Sequence, residues 1–167
     1  EIILFSDRSQ FKLVSPEILS PSTAAINSLT KYPVNTAIKP VSNGKNIFFV
    51  DSADAFGKSV RVYEYFIDSD TGTKAAMEIT AHVPQYVDTG VTSLSCSPGL
   101  NLLCVSKYGS SKLWMYKYYW SGQEKLQSAW FLFDIGLNRR IQGAAFIGDI
   151  LYLLLVAHAG DVSLCKM

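Results

Sequence analysis

The sequence contains no apolar run long enough to cross a membrane as a helix. Its longest apolar run, residues 150–157, has the length of a single β-strand. The sequence also has almost no excess of positive over negative charge. The net charge is +1, and the only adjacent basic pair is Arg139-Arg140. Tight binding of nucleic acid depends on many phosphate contacts, so it is not expected here. No signal peptide is evident, and the first residue, Glu1, is not an initiator methionine.

Cysteine and histidine are equally sparse. There are three cysteines, Cys96, Cys104 and Cys165, and all lie in strand-like segments. Their odd number favours small buried hydrophobic side chains over a disulfide framework or a metal site. The two histidines, His82 and His158, lie far apart and neither has metal-binding spacing to Cys, Asp or Glu. We therefore expect structural or surface roles for both histidines.

Sequence motifs that carry chemistry are missing. Ser93, Ser95 and Ser97 lie close together, but no Gly-x-Ser-x-Gly nucleophile elbow and no glycine-rich phosphate loop occurs. Residues 68–72 match the opening of a calcium loop, but the twelfth position would be Ile79, where a bidentate glutamate is required. A polar turn is the expected structure there. We predict no catalytic, cofactor-binding or metal-binding residue.

The scattered carboxylates leave one enzymatic alternative open. A glycosidase needs two carboxylates about 5–10 Å apart, flanking the bond that is cleaved. Such a pair could form in the loops of the first repeat, and Trp114 or Trp120 could stack on a sugar ring. Solvated loop carboxylates and core tryptophans are the favoured interpretation. The candidate carboxylates are Asp51, Asp54, Asp68, Asp70, Glu78 and Asp88.

The most informative stretch is residues 112–120, which is aromatic and free of glycine and proline, so it predicts a β-strand. Side chains alternate across a strand. One face therefore carries four aromatic residues, with about 600–1,000 Å² of surface between them. A soluble monomer rarely exposes an apolar patch of that size, so we expect another sheet or a partner to cover it. These residues are Trp114, Tyr116, Tyr118 and Trp120.

The same stretch is echoed elsewhere in the chain. Residues 62–65 resemble residues 115–118, and residues 164–167 are a fainter echo. The echoes fall in three units of similar order, spaced by roughly 50 residues, as in repeat proteins. The predicted strands are residues 41–42, 46–50 and 59–67 in the first unit, 92–96, 100–105, 112–120 and 126–133 in the second, and 141–147, 150–156 and 162–167 in the third.

Two regions lie outside this pattern. Residues 2–5 and 10–14 predict a leading hairpin, and residues 23–32 a weak strand. Residues 74–79 are predicted to be partly helical. Together the elements predict an all-β fold of antiparallel, propeller-like blades, about three repeats plus a leading hairpin. Residues 1–167 would form a single β domain that is part of a larger β-propeller, a fragment of a longer chain. Its 49% hydrophobic content is sufficient for a buried core.

Several blocks of sequence occur in the order shared by a known family. They are residues 4–11, 39–40, 47–49, 62–65, 79–86, 116–118, 127–130 and 150–153. Each block alone is weakly specific, but together they span nearly the whole chain. On these blocks the sequence resembles the tail tubular protein B family, the nozzle proteins of short-tailed bacteriophages.

The resemblance implies a structural, non-enzymatic protein of the virion tail, whose fold includes propeller-type β domains. In that family several copies, a hexamer, build the tube below the portal and tail tubular protein A. DNA leaves the capsid through this tube without sequence-specific binding. The implied partners are further copies of the chain, tail tubular protein A and other tail proteins, with no cofactor and no membrane span. Two alternatives remain, a tail-associated glycan hydrolase and a carbohydrate-binding module that acts on the host envelope.

Overall fold

The computed structural model describes residues 2–14, 20, 22–51, 59–67, 74–122, 124–157 and 159–167. All regular secondary structure in these ranges is β-strand, which confirms the predicted all-β class. The strands are β1 Ile2–Phe5, β2 Gln10–Val14, β3 Ala25–Thr30, β4 Val41–Ser42, β5 Ile47–Asp51, β6 Arg61–Ile67, β7 Lys74–Glu78, β8 Ser93–Ser97, β9 Leu102–Ser106, β10 Lys112–Ser121, β11 Glu124–Asp134, β12 Arg139–Ile147, β13 Ile150–Ala157 and β14 Val162–Lys166.

The strands form four antiparallel sheets in chain order. Sheet 1 contains β1–β3, sheet 2 contains β4–β7, sheet 3 contains β8–β11 and sheet 4 contains β12–β14. In each sheet every strand pairs with the strand that follows it in the sequence. The first strands of sheets 2, 3 and 4, which are β4, β8 and β12, contact one another in succession. This is the arrangement of propeller-like blades predicted from the repeats, and the four sheets do not close into a ring.

The sheets stack face to face because the strands β5, β6, β9 and β10 carry buried apolar side chains on both sides. On β10, Trp114, Tyr116 and Tyr118 belong to a buried cluster shared with sheet 2, whereas Leu113 and Met115 belong to one shared with sheet 4. A third cluster, around Phe49 and Tyr65, joins sheet 2 to sheet 1. The aromatic face predicted on residues 112–120 is therefore covered by a neighbouring sheet.

The sequence echo has a structural basis. Tyr63 pairs across the sheet with Phe49, and its counterpart Tyr116 pairs with Leu103. Both tyrosines face the preceding sheet. In sheet 4 the equivalent pair is Leu153 and Cys165, on the same side. Each repeat thus presents the same two positions to the sheet before it.

The prediction of partial helix for residues 74–79 is wrong. Lys74–Glu78 is strand β7, the outermost strand of sheet 2, and it pairs with β6 over its whole length. Ala75, Ala76 and Met77 favour a helix by intrinsic propensity, but pairing with β6 places Ala76 against the cluster of sheets 1 and 2. Packing and ladder hydrogen bonds therefore override propensity. The leading hairpin also gains a third strand, β3, from the region predicted as a weak strand.

The turn between β9 and β10 depends on a glycine. Gly109 has a φ of +75° and its N–H donates a 2.8 Å hydrogen bond to the Ile141 carbonyl of sheet 4. We expect Gly109→Ala to lower the free energy of unfolding by about 1–2 kcal/mol, because an L side chain is strained in this conformation. Urea denaturation measures the change. Tyr108→Ala, at an exposed position of the same turn, is the control, and an equal loss in both variants would contradict the explanation.

Candidate functional site

Three of the six candidate glycosidase carboxylates lie among the residues that the structure describes. Asp51 is buried and forms an ion pair with Arg61. Glu78 accepts a 3.0 Å hydrogen bond from the Thr80 hydroxyl. Asp88 is exposed. The other three candidates, Asp54, Asp68 and Asp70, lie outside the described residues, as does the calcium-like segment 68–72.

The Asp51–Arg61 pair is part of a small electrostatic cluster at the border of sheets 1 and 2. The Arg61 guanidinium lies 6.0 Å from the centre of the Tyr63 ring. Burial lowers the pKa of Arg61, but electrostatic interactions with Tyr63, Asp51 and Glu78 together outweigh burial, so the pKa is raised. The pKa of Tyr63 is raised mainly by burial. These neighbours stabilise the positive charge of Arg61, which is already paired with Asp51.

One of the two histidines lies in the part of the chain that the structure describes. His82 is exposed in a turn, and His158 lies outside the described residues. Within the described part of the chain, no three His, Cys, Asp or Glu side chains are grouped so that they could hold a metal ion. In those same ranges no helix is long and apolar enough to span a membrane.

The three cysteines are free thiols. Cys104 is buried, whereas Cys96 and Cys165 are half-buried. Burial raises the pKa of Cys104 to about 12 and also raises the pKa of Cys96. Only Cys104 thus fully matches the predicted buried thiol.

We expect alkylating reagents to modify Cys104 only after unfolding, since the thiolate is the reactive form and a pKa of about 12 leaves almost none at neutral pH. Mass spectrometry of native protein treated with iodoacetamide measures the modification of each cysteine. Cys165, on the outer strand β14, should react first. Modification of Cys104 as fast as Cys165 would contradict the buried position.

The serines around Cys96 connect strands and sheets. The Ser93 and Ser106 hydroxyls lie 2.6 Å apart across β8 and β9. The Ser95 hydroxyl accepts a 2.7 Å hydrogen bond from the Phe146 N–H of sheet 4. The Ser97 hydroxyl donates to Asp149, in the turn between β12 and β13 of sheet 4, at 2.6 Å. Ser95 and Ser97 thus connect sheet 3 to sheet 4, whereas Ser93 connects two strands within sheet 3.

The interface between sheets 2 and 3 is the most aromatic part of the core. The Phe48 ring of sheet 2 lies 5.3 Å from Tyr118 and 6.5 Å from Tyr116, centre to centre. Tyr116 in turn lies 4.9 Å from Trp130 on β11. Tilted aromatic pairs at these distances contribute energy beyond their buried area. The rings therefore fix the position of one sheet on the next.

A buried carboxylate lies in the same interface. Glu64 on β6 is fully buried and forms an ion pair with Lys125 on β11. Its Oε1 accepts hydrogen bonds from Asn46 Nδ2 at 2.6 Å and from Trp120 Nε1 at 3.1 Å. The Lys125 ammonium also lies 5.1 Å from the Tyr116 ring centre. A carboxylate buried away from water is stable only when it is paired and hydrogen-bonded, as Glu64 is here.

The sequence analysis missed this network. The available signal was Glu64 itself, a single acid between Tyr63 and Tyr65 in the middle of an apolar strand. Because alternate residues share a face, Glu64 must point to the same side as Val62 and Phe66. That placement predicts a buried acid, but the identity of its partner Lys125, 61 residues away, requires the structure.

The turn between β4 and β5 also contacts sheet 3. Asn43 Nδ2 donates to the Tyr118 hydroxyl at 3.1 Å, and Lys45 Nζ donates to the Gly122 carbonyl at 3.1 Å. Asn43 and burial act in opposite directions on Tyr118, and burial dominates, so its pKa is raised to about 12. The turn thus closes one end of the interface between sheets 2 and 3.

The two end sheets each have an outer face that no described residue covers. On sheet 4 the exposed fractions reach 66% for Val162 and 70% for Leu164. On sheet 1 they are 49% for Ile2, 42% for Leu4 and 62% for Ile26. Within the stack, the equivalent faces bury large apolar side chains. Contiguous apolar faces of this kind mark contact surfaces.

The candidate functional site is therefore a set of contact surfaces. The sequence profile of the bacteriophage nozzle protein family matches residues 1–167, the whole of the chain. The chain belongs to this family, and it is a structural protein of the virion tail.

One curated relative is tail tubular protein gp12 of Escherichia phage T7. It is 30% identical to this chain over 156 residues, which is 93% of this chain and 19% of the relative. The chain therefore spans about a fifth of that relative's length. The family expected from the ordered sequence blocks is confirmed.

Proposed function

We propose that this chain is part of the wall of the phage tail nozzle, the tube through which DNA leaves the capsid. The observation that carries the proposal is the use of its distinctive side chains. Glu64, Lys125, Ser95 and Ser97 all connect one sheet to the next. A protein whose polar and aromatic side chains hold its sheets together is suited to withstand mechanical load.

We further propose that residues 1–167 are a single β domain within a longer nozzle protein. The relative from phage T7 is much longer, since the aligned part is only 19% of it. The apolar outer faces of sheets 1 and 4 support the same proposal, because further sheets would bury them as sheets 2 and 3 bury each other. The nozzle would contain several copies, a hexamer, joined to tail tubular protein A and other tail proteins.

The proposed role is not enzymatic. Asp51 is neutralised by Arg61 and Glu78 is hydrogen-bonded to Thr80, so neither is a free acid beside a free base. The near-neutral net charge of +1 suits a conduit that must release DNA. We expect that incubation of the protein with host capsule or lipopolysaccharide releases no reducing sugar ends from the polysaccharide. Release of sugar that is lost in the Asp51→Asn variant would contradict this role.

The proposal is tested by locating the chain in the virion. Leu137, in the turn between β11 and β12, is 86% exposed, so a short epitope inserted after it should not disturb the sheets. Immunogold electron microscopy of phage carrying this insertion is expected to place label on the tail below the portal. Untagged phage is the control for background. Label on the capsid shell, or label absent from intact particles that contain the tagged protein, would contradict the proposal.

A further inference from the structure

In sheets 2, 3 and 4 the first strand is joined to the second by a short turn. The pairs are β4 with β5, β8 with β9 and β12 with β13. The turn between β4 and β5 reaches the next sheet, where Asn43 donates to the Tyr118 hydroxyl. Tyr118 pairs with no residue of β9, and its N–H donates to the Asn101 carbonyl. In this repeat, a turn from the preceding sheet therefore covers a tyrosine.

Sheet 1 has no counterpart of that first strand among the described residues. Its β1 pairs with β2 only, and β1 occupies the place that β5 has in sheet 2. The correspondence follows from packing, since Phe5 of β1 lies 6.0 Å from Tyr65 just as Phe48 of β5 lies 5.3 Å from Tyr118, the counterpart of Tyr65. The contact between the outer strands β3 and β7 also matches the last strands of two neighbouring blades.

A cavity lies where the missing turn would be. Tyr65 is the repeat counterpart of Tyr118, as the sequence echo shows. Beside Tyr65 there is an open cavity of about 440 Å³ between sheets 1 and 2. It is lined by Ile3, Ser42, Ile47, Tyr65, Phe66 and Lys74. Its lining combines apolar side chains with the polar Ser42, and the lysines Lys45 and Lys74 lie at its border.

We propose that the cavity and the free edge of β1 accept a β-strand and turn from the same longer polypeptide. The inference rests on the proposal above that the chain is part of a longer nozzle protein. The segment leads into Ile2, runs antiparallel to β1 and completes sheet 1 to four strands. By the repeat pattern, its turn lies over Tyr65, and one face of the strand is apolar towards Ile3 and Ile47. The edge of a sheet is a template for such pairing.

Hydrogen exchange in the full-length nozzle protein tests the pairing without isolating any part. Amides of β1 should exchange within about threefold of those of β5, which has a strand on each side. Strand β11, whose outer edge has no partner strand among the described residues, is the internal reference for a one-sided strand. Exchange of β1 at least about tenfold faster than β5, at the level of β11, would overturn the inference.

A substitution in the cavity gives a second test, because a filled cavity and an empty cavity predict opposite changes in the exchange of β1. Ile47→Trp places a larger side chain in the cavity. If a strand and turn fill it, the full-length protein is overpacked, and exchange of β1 accelerates by about tenfold or more. If the cavity is empty, the tryptophan is accommodated, and exchange of β1 is unchanged or slower, which would overturn the inference. Ile147→Trp, at a position 66% exposed, is the control and should leave β1 unchanged.

Cross-linking identifies the occupant. Lys45 and Lys74 border the cavity, so a cross-linker with one amine-reactive end and one photoreactive end should join them to residues just before Ile2. A mixture of isotope-labelled and unlabelled full-length protein separates links within one chain from links between copies. Links within one chain support the inference, whereas links only between copies would assign the cavity to a second copy and overturn it. If no links form within one chain while the tagged chain is still found in the tail, the inference is overturned but the proposed function stands.

Discussion

Replacing Lys125 with methionine is expected to lower the free energy of unfolding by about 3–5 kcal/mol, because it leaves a buried carboxylate without its counter-charge. Glu64 is fully buried, and only 10% of the Lys125 side chain is exposed. Methionine keeps most of the apolar stem, so the loss reports the charge. The change is measured by urea denaturation followed by tryptophan fluorescence.

The matched control is Lys112→Met on the neighbouring strand β10, where the side chain is exposed. It should change stability by less than about 0.5 kcal/mol. The double variant Glu64→Gln with Lys125→Met removes both charges and keeps an acceptor for Asn46 and Trp120. We expect it to recover most of the loss, since replacing both partners of a buried pair is often near neutral. A double variant as unstable as the sum of the single variants would contradict a direct interaction.

Phe48→Ala is the second substitution with a large expected effect, a loss of about 3–5 kcal/mol. The Phe48 side chain is fully buried between sheets 2 and 3 and contacts the rings of Tyr116 and Tyr118. Truncation removes the transfer free energy of the ring and leaves a cavity that rigid neighbouring rings cannot fill. Thermal or urea denaturation measures the loss.

Phe131→Ala on β11 is the matched control, because the same side chain is 43% exposed there. Its loss should be less than half of the loss at Phe48. Equal losses at the two positions would show that the stack of sheets 2 and 3 is not the centre of the fold. The result would then also weaken the explanation given for the aromatic echo.

The strand pattern could be predicted from the sequence because it depends on local periodicity. The aromatic face of residues 112–120 is covered as predicted, and the structure shows that Leu113 and Met115 on the other face are buried as well. The prediction failed for residues 74–79, where Ala75 and Ala76 favour a helix locally and only pairing with β6 determines the strand. Propensity is a weak guide for an outer strand of five residues.

The contact surfaces were harder to predict, for a physical reason. The ion pair of Glu64 with Lys125 joins residues that are far apart in the sequence, and no local pattern specifies which acid meets which base. The apolar outer faces of sheets 1 and 4 become visible only when the strand register shows that Leu154 and Leu164 lie side by side. Sequence identified the family and the fold class, whereas the surfaces on which assembly depends required three dimensions.

Cryo-electron microscopy of intact phage carrying this protein tests the central claim most directly. The account predicts density for residues 1–167 in the tail wall below the portal, as four stacked antiparallel sheets. The outer faces of sheets 1 and 4 should be covered by further protein. Tail density that excludes this chain, or that shows Leu164 and Ile26 facing open solvent in the assembled tube, would contradict the account.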